Sequence, residues 1–101
     1  MNYETEVLAD IKKFQEQIDD GEALARLERN PDFKKLIVDG YLHDLVLNLL
    51  YENNGGNNTS YYQKLDSIKF FNEYLEHIKH LANVAKTDKP GYEEELNNTN
   101  Q

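Results

Sequence analysis

The sequence contains no cysteine, no tryptophan and only two prolines in 101 residues. Without cysteine the chain forms neither disulfides nor a zinc site built from thiolates, and it has no cysteine nucleophile. A chain of this length buries only about 60 to 65% of the surface that its unfolded form exposes. Because covalent and metal supports are missing, we expect contacts with other chains to stabilise the fold.

Long apolar runs are also missing. The most apolar stretch, residues 42–50, is interrupted by His43, Asp44 and Asn48, whereas a membrane-spanning helix needs about 20 apolar residues. The N-terminus has neither a basic leader nor an apolar segment, so we expect no secretory signal. These features predict an intracellular protein that neither is secreted nor has a membrane as its partner.

The chain is acidic, with nineteen acids, eleven bases and a formal net charge of −8. A duplex-binding protein needs a basic face that displaces counterions from phosphates, so direct binding of duplex DNA is not expected. The negative charge is concentrated near the N-terminus, in a set that we call the acidic face: Glu4, Glu6, Asp10, Glu16, Asp19, Asp20 and Glu22. Four bases follow it and form a basic patch: Arg26, Arg29, Lys34 and Lys35.

Apolar residues recur at every third or fourth position along most of the chain, which is typical of amphipathic helices. We predict an all-α fold, a small bundle of three to four helices with one long C-terminal helix. The predicted helices cover residues 4–19, 22–29, 31–51 and 60–86. Residues 52–59 are polar and rich in asparagine and glycine, so they form an exposed loop.

Four short motifs set the predicted boundaries. Asp19-Asp20-Gly21 predicts a break or kink, because Asp competes for backbone hydrogen bonds and Gly disfavours a helix. Asn30 is the N-cap of a helix that has Pro31 at its first position. Asp39-Gly40 is either a bend or a joint, and we favour a continuous helix. Lys89-Pro90-Gly91 ends the last helix, which leaves a helical domain over 1–87 and an acidic flexible tail over 88–101.

The long C-terminal helix carries an apolar seam that approximates a heptad repeat, with further aromatic residues beside it. Tyrosine and phenylalanine are common at protein interfaces. In the alternative, residues 4–19 and 33–50 of the same chain cover both flanks of the seam. The interface candidates are Tyr61, Tyr62, Leu65, Ile68, Phe70, Phe71, Tyr74, Leu75 and Ile78.

No set of residues points to catalysis or to a cofactor. His77 and His80 lie near Glu73 and Glu76, but their spacing differs from that of carboxylate-bridged metal sites, so we favour a solvated helix face without a metal. His43 and Asp44 are adjacent, and adjacent helical positions diverge around the axis. We therefore predict no enzyme activity, no cofactor and no small-molecule substrate.

The stretch from Leu24 to Leu50, and above all its Asn-Pro-Asp-Phe-Lys-Lys core at residues 30–35, resembles small α-helical proteins of tailed bacteriophages. The resemblance is strong over about a quarter of the chain. Residues 68–75 resemble the second helical part of these phage proteins more weakly. It implies a phage origin, a location in the host cytoplasm or the virion, and a role near virion assembly or DNA packaging. It implies no catalytic residues.

We therefore expect a phage accessory or structural protein that acts through protein partners and self-association. The alternative is an acidic inhibitor that mimics nucleic acid and uses the acidic face to bind a basic host or defence enzyme. A regulator of host transcription or replication proteins is a third possibility, which the sequence does not separate from the other two.

Overall fold

The structure, a computed structural model, describes residues 3–53 and 59–99. All of these residues except 29 and 30 are helical, and none belongs to a β-strand, which confirms the all-α prediction and the long C-terminal helix. The helices are α1 (Tyr3–Glu28), α2 (Pro31–Phe33), a π-helix (Lys34–Asp44), α3 (Leu45–Asn53) and α4 (Thr59–Thr99). Most of the predicted loop 52–59 lies outside the described residues, while its ends belong to α3 and α4.

Contacts divide the described chain into two units. The terminal unit comprises residues 3–24 and 77–99, and the central unit comprises residues 25–53 and 59–76. The sequence placed a boundary at residue 87, whereas the structure groups residues 88–99 with the beginning of the chain.

The terminal unit is an antiparallel pair formed by the first part of α1 and the last part of α4. Three contacts along α1 meet residues of falling number on α4: the Tyr3 hydroxyl donates to Glu95, the Phe14 ring lies 5.0 Å from that of Tyr92, and Gly21 lies against Ala82. The residues that are buried in this unit have mainly small or aliphatic side chains: Val7, Leu24, Ala82 and Ala85.

Gly21 does not break α1, which is a correction to the predicted interruption and to the separate helix over 22–29. A Cβ atom at position 21 would lie 2.4 Å from the Cβ of Ala82, so the glycine permits a close approach between two helices. Asp19 also favours the helix here, because its carboxylate accepts a 2.7 Å hydrogen bond from the amide of Gln15, one turn earlier.

The last helix continues through Pro90 to Thr99, so the prediction that it ends at residue 86 and gives way to a tail is wrong. An interior proline removes one backbone hydrogen bond and costs roughly 3 kcal/mol. Packing against α1 offsets this cost. Lys89 donates a 2.5 Å hydrogen bond to Gln15, and the Tyr92 ring packs edge-on against Phe14. Tertiary contact thus overrides the local helix-breaking signal.

In the central unit, the predicted N-cap at Asn30 is confirmed. Its side-chain oxygen accepts hydrogen bonds from the amides of Asp32, at 2.9 Å, and Phe33, at 3.2 Å. The helix then continues without a break through Asp39 and Gly40, as favoured from the sequence. Its wider hydrogen bonding between Lys34 and Asp44, in which the Leu45 amide donates to the Gly40 carbonyl, was not predicted, because residue patterns do not distinguish a π-helix from an α-helix.

The close approach at Gly21 makes a testable prediction. Gly21→Ala gains about 1 kcal/mol of helix propensity, but overpacking against Ala82 costs about 1 to 3 kcal/mol, so the free energy of unfolding falls by up to about 2 kcal/mol. Gly91→Ala is the matched control, since nothing lies within 4 Å of a Cβ there, and it raises stability by up to about 1 kcal/mol. Chemical denaturation measures both changes.

Adding Ala82→Gly to Gly21→Ala restores the space, so the two substitutions show a coupling energy of about 1 kcal/mol or more in a double-mutant cycle. A Gly21→Ala variant that is stabilised as much as Gly91→Ala would show that the helices do not meet this closely.

Asn30→Ala removes the side-chain oxygen that accepts from the two amides, so it lowers the free energy of unfolding by about 0.5 to 2 kcal/mol. Asn30→Ser retains a capping oxygen and serves as the control. Equal urea midpoints for the two variants would contradict the cap.

Tyr92→Ala tests whether residues 90–99 pack on α1. The half-buried ring loses its edge-on contact with Phe14, so we expect a loss of about 1 to 2 kcal/mol in the free energy of unfolding. Tyr51→Ala, at a side chain that is 84% exposed, changes stability by less than about 0.5 kcal/mol. Equal stability of the two variants in thermal unfolding would favour the tail that the sequence predicted.

Candidate protein-protein interface

In the central unit, α4 directs one apolar side inward. Ile68 is buried and only 5% exposed, and Phe71 makes an edge-on contact with Tyr41 at a ring-centroid distance of 5.7 Å. The remaining seam residues among the interface candidates are half-buried: Tyr61, Leu65, Leu75 and, in the terminal unit, Ile78. These positions therefore belong mainly to the interior of the two units.

The other three interface candidates point away from that interior. Phe70 is 74% exposed, Tyr74 is 58% exposed and Tyr62 is 50% exposed. With Asp66 they form a row in which each residue follows the previous one by four positions. Residues at this spacing lie next to one another on a helix and form a ridge. We call Tyr62, Asp66, Phe70 and Tyr74 the aromatic ridge.

Two grooves lie between α4 and the helix that precedes it, and both include Ile68. The first groove has a volume of about 360 Å³. Its lining includes the apolar side chains of Tyr41, Leu45 and Leu49 and the charged side chains of Glu52 and Lys64. The second groove has a volume of about 350 Å³ and brings together Leu42, Val46, Leu65, Asp66, Lys69 and Asn72.

The preceding helix also leaves apolar side chains in solvent. Leu36 lies in the π-helix, and Leu50 and Tyr51 lie near the end of α3; all three are exposed. Isolated exposed leucines are ordinary in folded proteins. Together with the three exposed aromatic rings of α4 they give the central unit more exposed apolar side chains than isolated positions would, which suits contact with another protein.

The charged sets from the sequence lie on exposed helix surface. The four residues of the basic patch flank the Asn30 cap and are all exposed. Six residues of the acidic face are exposed and Glu4 is half-buried. The acidic face lies on one unbroken helix, but its members point in several directions around the axis, as their spacing along α1 requires.

The side chains of His43 and Asp44 lie closer together than the sequence predicted. The Nδ1 atom of His43 lies 2.9 Å from a carboxylate oxygen of Asp44, although adjacent positions were expected to diverge. The pair lies within the π-helix, whose hydrogen bonding differs from the α-helical spacing on which that expectation was based. Both side chains are 67% exposed, which is the environment of a surface pair. Among residues 3–53 and 59–99, no three His, Asp or Glu side chains are grouped as metal ligands.

The sequence did not reveal the two grooves or the π-helix. The exposed ridge was partly visible, because Tyr62, Phe70 and Tyr74 lie beside the heptad-like seam rather than in it. The grooves depend on how far apart two helices lie, which no residue pattern specifies. Leu42, Leu45, Val46 and Leu49, which line the grooves, recur at three and four positions, and this spacing indicates only that they share one apolar side of that helix.

No family model, curated protein or solved structure matches the chain. None of the helices described in the structure combines the length and the hydropathy needed to cross a membrane.

Proposed function

We propose that this chain is a phage accessory or structural protein that acts by protein-protein contact and self-association, without catalysis, in virion assembly or DNA packaging. The observation that supports the proposal is the uncovered apolar surface of the central unit, where the aromatic ridge adjoins the second groove, which is lined in part by Leu42, Val46 and Leu65. The phage setting rests on the resemblance of residues 24–50 to small phage proteins.

The exposed aromatic rings favour a protein partner for this surface. An aromatic side chain buries about 150 to 250 Å² when it is covered, at about 25 cal/mol for each Å² of apolar surface. Leaving several such rings in water forgoes this stabilisation, so a partner that covers them gains binding free energy. The exposed residues are Tyr and Phe, which are enriched in interface cores.

The alternative function, inhibition of a basic enzyme by mimicry of nucleic acid, receives support from the unbroken course of α1. This helix carries the whole acidic face. Mimicry also requires carboxylates along one continuous side, whereas these residues are spread around the helix. Competition with DNA for a candidate nuclease at low salt tests it, since electrostatic binding weakens as salt screens the charges.

Sedimentation velocity of the full chain tests the leading proposal. We expect concentration-dependent association in the micromolar range, and weakening by about tenfold or more in the double variant Phe70→Ser with Tyr74→Ser, because two apolar contact surfaces are lost. Leu8→Ser is the control, since it changes an exposed apolar residue of the terminal unit. A strict monomer that binds no virion protein would contradict the proposal.

A further inference from the structure

The second groove and the aromatic ridge adjoin one another, because Asp66 belongs to both. A ridge of side chains on one helix fits a groove on another surface. When one surface contains both a ridge and a groove, the ridge of one copy can enter the groove of a second copy. Two copies of such a surface, related by a two-fold axis, satisfy each other at the same time.

The charges on this surface also suit a second copy. The second groove carries one acid, Asp66, and one base, Lys69, and the rest of the ridge is uncharged. A partner with charge of a single sign would place a like charge against one of these residues. In a two-fold pair each copy offers a base for the acid and an acid for the base, so both contacts are attractive.

From this complementarity we infer that the central unit pairs with a second copy of this chain through the second groove and the aromatic ridge. Asp66 of each copy lies against Lys69 of the other, and Phe70 contributes to the apolar contact between them. The first groove is not used, because none of the residues lining it belongs to the ridge. The inference rests on the proposed function, since it specifies the partner and the surface of self-association.

The size of the surface sets the expected affinity. Three rings, each between half and three-quarters exposed, supply roughly 350 Å² of contact, which is less than half of the ~800 Å² that each partner buries in an interface of standard size. Residues of the groove supply the rest. We therefore expect a dimer that dissociates in the micromolar range rather than an obligate one.

Charge reversal tests the pairing. Asp66→Lys places Lys against Lys69 of the partner at two symmetric contacts, and Lys69→Asp places Asp against Asp66 at the same two. Each variant alone should dimerise at least about tenfold more weakly than the native chain, because two attractions become two repulsions. An equimolar mixture of the variants should form the heterodimer, in which every contact is again attractive. Native mass spectrometry separates the heterodimer from both homodimers by mass.

The chain that carries both reversals provides a second readout. Asp66→Lys combined with Lys69→Asp restores opposite charges at both contacts and should recover dimerisation. Glu52→Lys, which reverses an acid of the first groove, is the matched control and should dimerise like the native chain. Circular dichroism of every variant shows whether its helices are retained, because Lys69 also lies 3.9 Å from Glu73 within α4.

The outcomes are distinct. A native chain that stays monomeric would remove both this inference and the proposed self-association. A native dimer that is unaffected by Asp66→Lys and Lys69→Asp would overturn the inference alone, and weakening by Glu52→Lys instead would assign the contact to the first groove. Recovery of the dimer in the mixture and in the doubly reversed chain would support the inference.

Discussion

A pair of helices buries only the side on which the two helices meet, and this constraint governs the whole chain. A third or fourth element is normally needed to cover the remaining apolar surface. Each unit of this protein consists mainly of such a pair. The apolar surface that a unit leaves exposed therefore depends on the distance between its two helices. The residue at the point of contact decides that distance.

The two units satisfy the constraint in different ways. In the terminal unit, Gly21 and Ala82 allow close contact, and both Ala82 and Ala85 are buried. In the central unit, larger residues such as Tyr41 and Phe71 meet instead, and two grooves that share Ile68 remain between the helices. The first pair is closely packed at Gly21, whereas the second leaves grooves and exposed aromatic rings, the surface on which the proposed protein contact rests. This difference is the structural basis of the proposed function.

The sequence predicted those features that depend on local spacing and capping. The period of apolar residues indicated the helices, and Asn30 followed by Pro31 indicated the start of the helical segment in the central unit. The predicted helix ends near Gly21 and at residue 86 were wrong, because the effect of glycine or proline on a helix depends on the tertiary contacts around it. From the local sequence, Gly21 and Pro90 each predict the end of a helix. In the structure, Gly21 permits close contact with Ala82, and the residues after Pro90 stay helical because Tyr92 packs on Phe14. The grooves required the distance between helices, which spacing along one helix does not contain.

If a second copy covers the exposed apolar surface of the central unit, photocrosslinking from position 70 detects the contact between the two chains. A photoreactive benzophenone side chain is placed at position 70, and equal amounts of unlabelled and ¹⁵N-labelled chains are mixed and irradiated at a concentration above the dissociation constant. We expect crosslinked peptides that combine both isotopes and join position 70 to residues 42–46 or 62–74 of the other chain. Crosslinks confined to single chains, or directed only to the terminal unit of the second copy, would contradict it.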